Sequence, residues 1–75
     1  MWKEGSIKVH NTIFHYWIKV YGEGSQYGID GGKISKLMLK REGEIVCNYD
    51  RCWDIQPVDD ETWLAYKILI QAENF

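Results

Sequence analysis

Residues 48–57 read NYDRCWDIQP and gather two carboxylates, Asp50 and Asp54, a cation, Arg51, and a thiol, Cys52, around Trp53. A cysteine nucleophile needs its thiolate, and therefore a nearby base or a positive environment. The only two histidines, His10 and His15, lie far upstream. Clusters of this kind also arise as plain ion-pair networks. The reading favoured is structural: Trp53 and Ile55 anchor the passage into the last element, Arg51 pairs with Asp50 or Asp54, and Cys52 fills space. Cys47, Cys52, His10 and His15 have the residue types of a zinc site. Their C-x4-C and H-x4-H spacing, in reversed order, matches no closed structural site. No catalytic residue, metal or cofactor is expected.

A second stretch, YGIDGGKIS from Tyr27 to Ser35, has the glycines and lysine of a phosphate loop. The G-x-x-x-x-G-K-[ST] pattern would need Gly where Tyr27 stands, and Lys33 is followed by Ile34. A strand pattern follows, so there is no helix N-terminus to offer free amides to an anion. The stretch is expected to be a turn between hairpins, with Gly31 and Gly32 at positive φ. Within the longer loop 22–32, Tyr27, Asp30 and, at its end, Lys33 are candidates for gripping a partner.

The elements that must position these residues change period at the single proline, Pro57. Before it the pattern alternates. A two-residue His10-Asn11 turn pairs Val9 with Thr12, Ile7 with Phe14 and Gly5 with Tyr16, with the positive φ expected on Asn11. That register places Ile7, Val9, Phe14, Tyr16, Ile18 and Val20 on the core face. A second hairpin runs from Ile34 to Lys40 and back from Glu44 to Tyr49. A bulged turn at Gly43 would oppose Lys40 to Glu44 and put Leu37, Leu39, Ile45, Cys47 and Tyr49 inside. A plain two-residue loop would instead mix Val46 and Asn48 into the core.

After Pro57 the text VDDETWLAYKILIQAENF has a helical period. Asp59 is the expected N-cap, with Asp60 and Glu61 favourably placed in the first turn and Val58 and Trp63 as a hydrophobic staple. Leu64, Ala65, Ile68, Leu69, Ala72 and Phe75 form the stripe expected to cover the sheet, above all Leu64, Ile68 and Leu69 against Phe14, Ile18, Leu37 and Leu39. Trp63, Tyr66 and Ile70 fall on another side, so the helix is apolar over more of its circumference than one sheet needs. The expected architecture is α+β: one domain over residues 1–75, an antiparallel sheet of four or five strands in 1–56, and a helix in 57–75 packed across one face.

Seventy-five residues bury only about 60% of their unfolded surface, and four Trp, five Tyr and two Phe supply the large buried side chains such a small core needs. Two cysteines are too few for a secreted disulfide scaffold of this size, the N-terminal residues lack the apolar run of a signal peptide, and no run approaches the about 20 apolar residues of a membrane span. A cytoplasmic protein without a membrane partner is expected. Residues 1–41 hold seven Lys/Arg against three acids and residues 42–75 two against eight, so +4 and −6 make up the net −2. The molecule is expected to be electrically two-sided.

Two surfaces are candidates for contact. One is the helix side formed by Trp63, Tyr66 and Ile70. The other is the outer sheet face, where alternation gathers Trp2, His15, Trp17 and Tyr21 with Lys8, Lys19, Lys36 and Lys40. Aromatic rings with a basic rim suit a protein partner or a second copy of the chain in a homodimer. They also suit single-stranded nucleic acid, although a net charge of −2 gives weak long-range attraction to phosphate.

YGIDGGKISKL and NYDRCWDIQP, with the WKEG opening and the closing helix, resemble a family of small uncharacterised proteins of Gram-positive bacteria and their phages. The resemblance implies a bacterial cytosolic setting and a mobile-element origin, and it brings no activity, cofactor or catalytic residue. The expected function is non-enzymatic protein binding, in that setting as a phage or prophage modulator of a host protein, with single-stranded nucleic-acid binding as the alternative.

Overall fold

A computed structural model describes residues 1–24, 26 and 28–74, without the side chains of Asp30 and Asn74. It contains β1 (Trp2–Val9), β2 (Thr12–Val20), a 3-10 turn (Ile29–Gly31), β3 (Ile34–Arg41), β4 (Glu44–Asp50), β5 (Trp53–Ile55) and α1 (Asp60–Leu69), which runs on into a π-helical turn (Ile70–Asn74). All five strands form one antiparallel sheet in chain order. The helix packs on one face of it, and among the described residues no helix is long and apolar enough to cross a membrane.

The first hairpin has the expected register, Val9 with Thr12 through Gly5 with Tyr16. Its positive φ sits on His10 (55°) rather than Asn11. Val9, Phe14 and Ile18 are buried, and Ile7, Tyr16 and Val20 pack against them.

The second hairpin departs from expectation. Glu42 and Gly43 are both left-handed (φ 52° and 80°), and Arg41 pairs with Glu44, Lys40 with Ile45 and Leu37 with Tyr49. Two consecutive positive φ values make a two-residue turn whose twist matches the strands. The bulge lies further in, at Val46, which is left between the Lys40–Ile45 and Leu39–Cys47 pairs. Ile45 is therefore exposed and Val46 buried, while Leu37, Leu39, Cys47 and Tyr49 point inward as expected. The bulged Val46 carbonyl accepts the Val58 N–H at 3.2 Å, tying β4 to the segment that enters the helix.

The connector between hairpins is built inward. Ile29 is buried in the core. Gly31 has positive φ (72°), whereas Gly32 is extended. A Cβ on Gly28 would strike the Gly32 carbonyl oxygen, so the chain folds back too closely there for any other residue.

Asp59 caps α1 as expected: its carboxylate accepts from the Thr62 N–H (2.9 Å) and Oγ1 (2.7 Å). The helix is rotated from the expected face. Thr62, Ala65, Tyr66 and Leu69 are buried, whereas Leu64 (45%), Ile68 (47%) and Ala72 are exposed, and Phe75 lies outside the described residues. The reason is aromatic. Trp53 on β5 packs edge-on against Tyr49 (centroids 5.2 Å apart) and meets Tyr66 at 5.4 Å, and this draws the Tyr66 side of the helix onto the sheet.

Candidate binding surface

The face of the sheet opposite the helix is uncovered by any described element. Strand alternation and register set its residues side by side: Trp2 faces Lys19, Trp17 faces Met38, Lys19 faces Lys36, and His15 faces Lys40. Trp2 is 59% exposed, Tyr21 and His15 are exposed, and Trp17, Met38, Lys19, Lys36 and Lys40 are half-buried. Two open clefts of about 250 and 300 Å³ share Trp2, Trp17 and Met38 as walls. Met38 is not among the residues expected on this face, although its place between Lys36 and Lys40 follows from the same alternation.

The lysines stand over the rings. Lys19 Nζ lies 5.8 Å from the Trp2 centroid and 5.5 Å from that of Tyr21, Lys36 Nζ 5.9 Å from Trp2, and Lys40 Nζ 5.6 Å from Trp17. These are cation–π distances. The Lys19 ammonium beside Tyr21 holds the phenol below its ordinary range. Asp50, 3.7 Å from Lys36, and Asp54 and Glu4 temper the positive charge of the face.

The helix side carries acids of its own that pair with cations of the strands. Asp59 and Glu61 meet Arg41 at 2.8 and 3.8 Å, and Glu73 meets Lys3 at 2.7 Å. The Thr62 hydrogen bonds, joined by Arg41, hold the Asp59 carboxyl down at about 2.

Other expected contact residues are scattered. Tyr66 is buried, Ile70 packs against the core and only Trp63, with centroid 5.4 Å from Tyr66, is exposed, so these three form no common patch. Lys33 is half-buried at the foot of the connector, where its carbonyl accepts the Tyr21 N–H. Tyr27 and the Asp30 side chain lie outside what the structure describes.

The NYDRCWDIQP cluster is a strand turn. Trp53 anchors it as expected, Asp54 accepts from Asn48 Nδ2 (3.0 Å), Asp50 lies 3.7 Å from Lys36, and Cys52 is exposed rather than space-filling. Cys47 is fully buried, and burial pushes its thiol up to about 12. His10 sits in the first turn, 3.4 Å from Glu61, and His15 lies on the outer face. Among the described residues no three His, Cys, Asp or Glu come close enough to hold a metal ion.

Residues 1–74 match the family model described as a domain of unknown function (DUF7678). No curated protein and no solved structure matches the chain. The chain belongs to the DUF7678 family.

Proposed function

We propose that this DUF7678 member is a non-enzymatic protein-binding module that docks through its outer sheet face onto an apolar, acid-rimmed patch of a partner protein. The observation that carries the reading is the uncovered centre of that face, where Trp2, Trp17 and Met38 wall two clefts and Lys19, Lys36 and Lys40 surround them. Tryptophan and methionine are the residues interfaces concentrate, and lysines at the rim select carboxylates on the partner. The resemblance carried by YGIDGGKISKL and NYDRCWDIQP supports a setting in the cytoplasm of Gram-positive bacteria. A phage or prophage protein that modulates a host protein fits both.

The test is capture from such a host by the tagged chain and by its Trp2→Ala/Trp17→Ala variant. A partner retained by the parent is then purified and titrated. The variant should stay folded and bind about tenfold more weakly or worse, since interface tryptophans carry about 2 kcal/mol or more. Equal affinity of both chains would remove this surface from the function.

One observation favours a second reading: three lysines stand over stackable rings on one open face, as in platforms for single-stranded nucleic acid. An oligonucleotide titrated in a salt series decides it. Phosphate contacts make the affinity fall steeply with ionic strength, and absence of binding at low salt would dispose of the reading.

A further inference from the structure

We propose that the open edge of β1 pairs with the same edge of a second copy of this chain, antiparallel and centred on Ser6, joining two five-stranded sheets into one. β1 is a terminal strand of the sheet. Met1 and Val20 exchange both backbone hydrogen bonds, Val20 N–H to Met1 O at 2.8 Å and the Met1 ammonium to Val20 O at 2.9 Å. Such doubly bonded pairs alternate along an antiparallel ladder, and the register from Trp2 with Lys19 to Val9 with Thr12 is unbroken. The odd-numbered residues of β1 therefore turn their amides and carbonyls toward β2. Those of Trp2, Glu4, Ser6 and Lys8 turn outward, and among the described residues no other segment takes them. Glu4, Gly5, Ser6 and Lys8 are all exposed.

An eight-residue edge in this condition is a template for another strand. The side chains name the occupant. Glu4 and Lys8 lie on one face, two residues either side of Ser6, and neither has an ion-pair partner among the described residues. A two-fold axis through Ser6 sets Glu4 of each copy against Lys8 of the other and satisfies the outward groups of Glu4, Ser6 and Lys8 together. Centring the axis on Glu4 would oppose Glu4 to itself, and centring it on Gly5 would spend Glu4 on Ser6. Opposite charges directly across a strand pair stabilise it and like charges destabilise it, so the Ser6 register is selected. Lys3, the inward-facing charge that would otherwise discourage an edge contact, is already neutralised by Glu73 at 2.7 Å. Because the axis stands perpendicular to the sheet, both outer faces lie on the same side, and Trp17 and Met38 remain uncovered. The pairing therefore stands apart from the partner reading.

Sedimentation equilibrium of the full chain should show a monomer–dimer equilibrium. Glu4→Lys and Lys8→Glu should each raise the dimer Kd by about tenfold, and the double exchange E4K/K8E should restore it. Thermal melts of the variants check that each is folded. With rising protein concentration, the Glu4, Ser6 and Lys8 amides should gain protection from hydrogen exchange. A chain that stays monomeric to its solubility limit, or a dimer indifferent to either single charge reversal, overturns the proposal.

Discussion

Trp53 and Tyr66 meet with ring centroids 5.4 Å apart and planes inclined at 58°, joining the last strand to the helix. This contact, with Tyr49 on the far side of Trp53, determines which face of α1 is buried.

Truncating Tyr66 should therefore be costly. Tyr66→Ala is expected to lose about 3 to 5 kcal/mol, as large aromatic deletions from cores do, enough to unfold much of a domain this size. Ile68→Ala, at a half-exposed position, should lose about 1 kcal/mol or less. Urea denaturation of the two variants checks the helix rotation, and the reverse order would contradict it.

The Asp59 cap makes stability depend on acid. Its carboxyl ionises at about 2 in the folded chain against 3.8 ordinarily. A group whose folded pKa is depressed contributes fully above the unfolded value and loses its contribution as pH falls through the folded one. The melting temperature should thus drop between pH about 4 and about 2. Asp59→Asn, which still caps, should flatten that drop, and Asp59→Ala should cost about 0.5 to 2 kcal/mol at neutral pH.

The two thiols should behave as opposites. Iodoacetamide should label exposed Cys52 in the native protein and reach buried Cys47 only on unfolding. Because the Cys47 thiol is raised from 9.0 to about 12 by burial, the stability tied to its neutral form is complete below pH about 9 and fades as pH climbs toward 12. Mass mapping after native and denatured labelling decides the first point, and an alkaline melting series of Cys47→Ala against the parent the second.

Two glycines of the connector should differ. At Gly31 the φ of 72° alone penalises a side chain, so Gly31→Ala should cost about 1 kcal/mol. Gly28→Ala forces a Cβ onto the Gly32 carbonyl and should cost more, because backbone rather than a side chain must move. Chemical denaturation of both variants ranks them, and tolerance of Gly28→Ala would show that the chain does not fold back there as described.

The first hairpin, the inward set Phe14, Ile18, Leu37 and Leu39, the outer row of Trp2, Trp17 and Tyr21, and the Asp59 cap were all legible in the amino-acid order. Each follows from short-range periodicity or local hydrogen-bonding chemistry. What the order left open was decided by contacts between distant segments. The helix is apolar around most of its circumference, so its own pattern could not choose between Ile68 and Tyr66; Trp53, thirteen residues before Tyr66, chose. The bulge moved from the turn to Val46, where the carbonyl could receive the Val58 N–H. Lys36 and Lys40 came to lie over the rings of Trp2 and Trp17 only when β3 was laid against the first hairpin. Local patterns specify which side chains can be buried together, and tertiary packing selects among the arrangements those patterns allow.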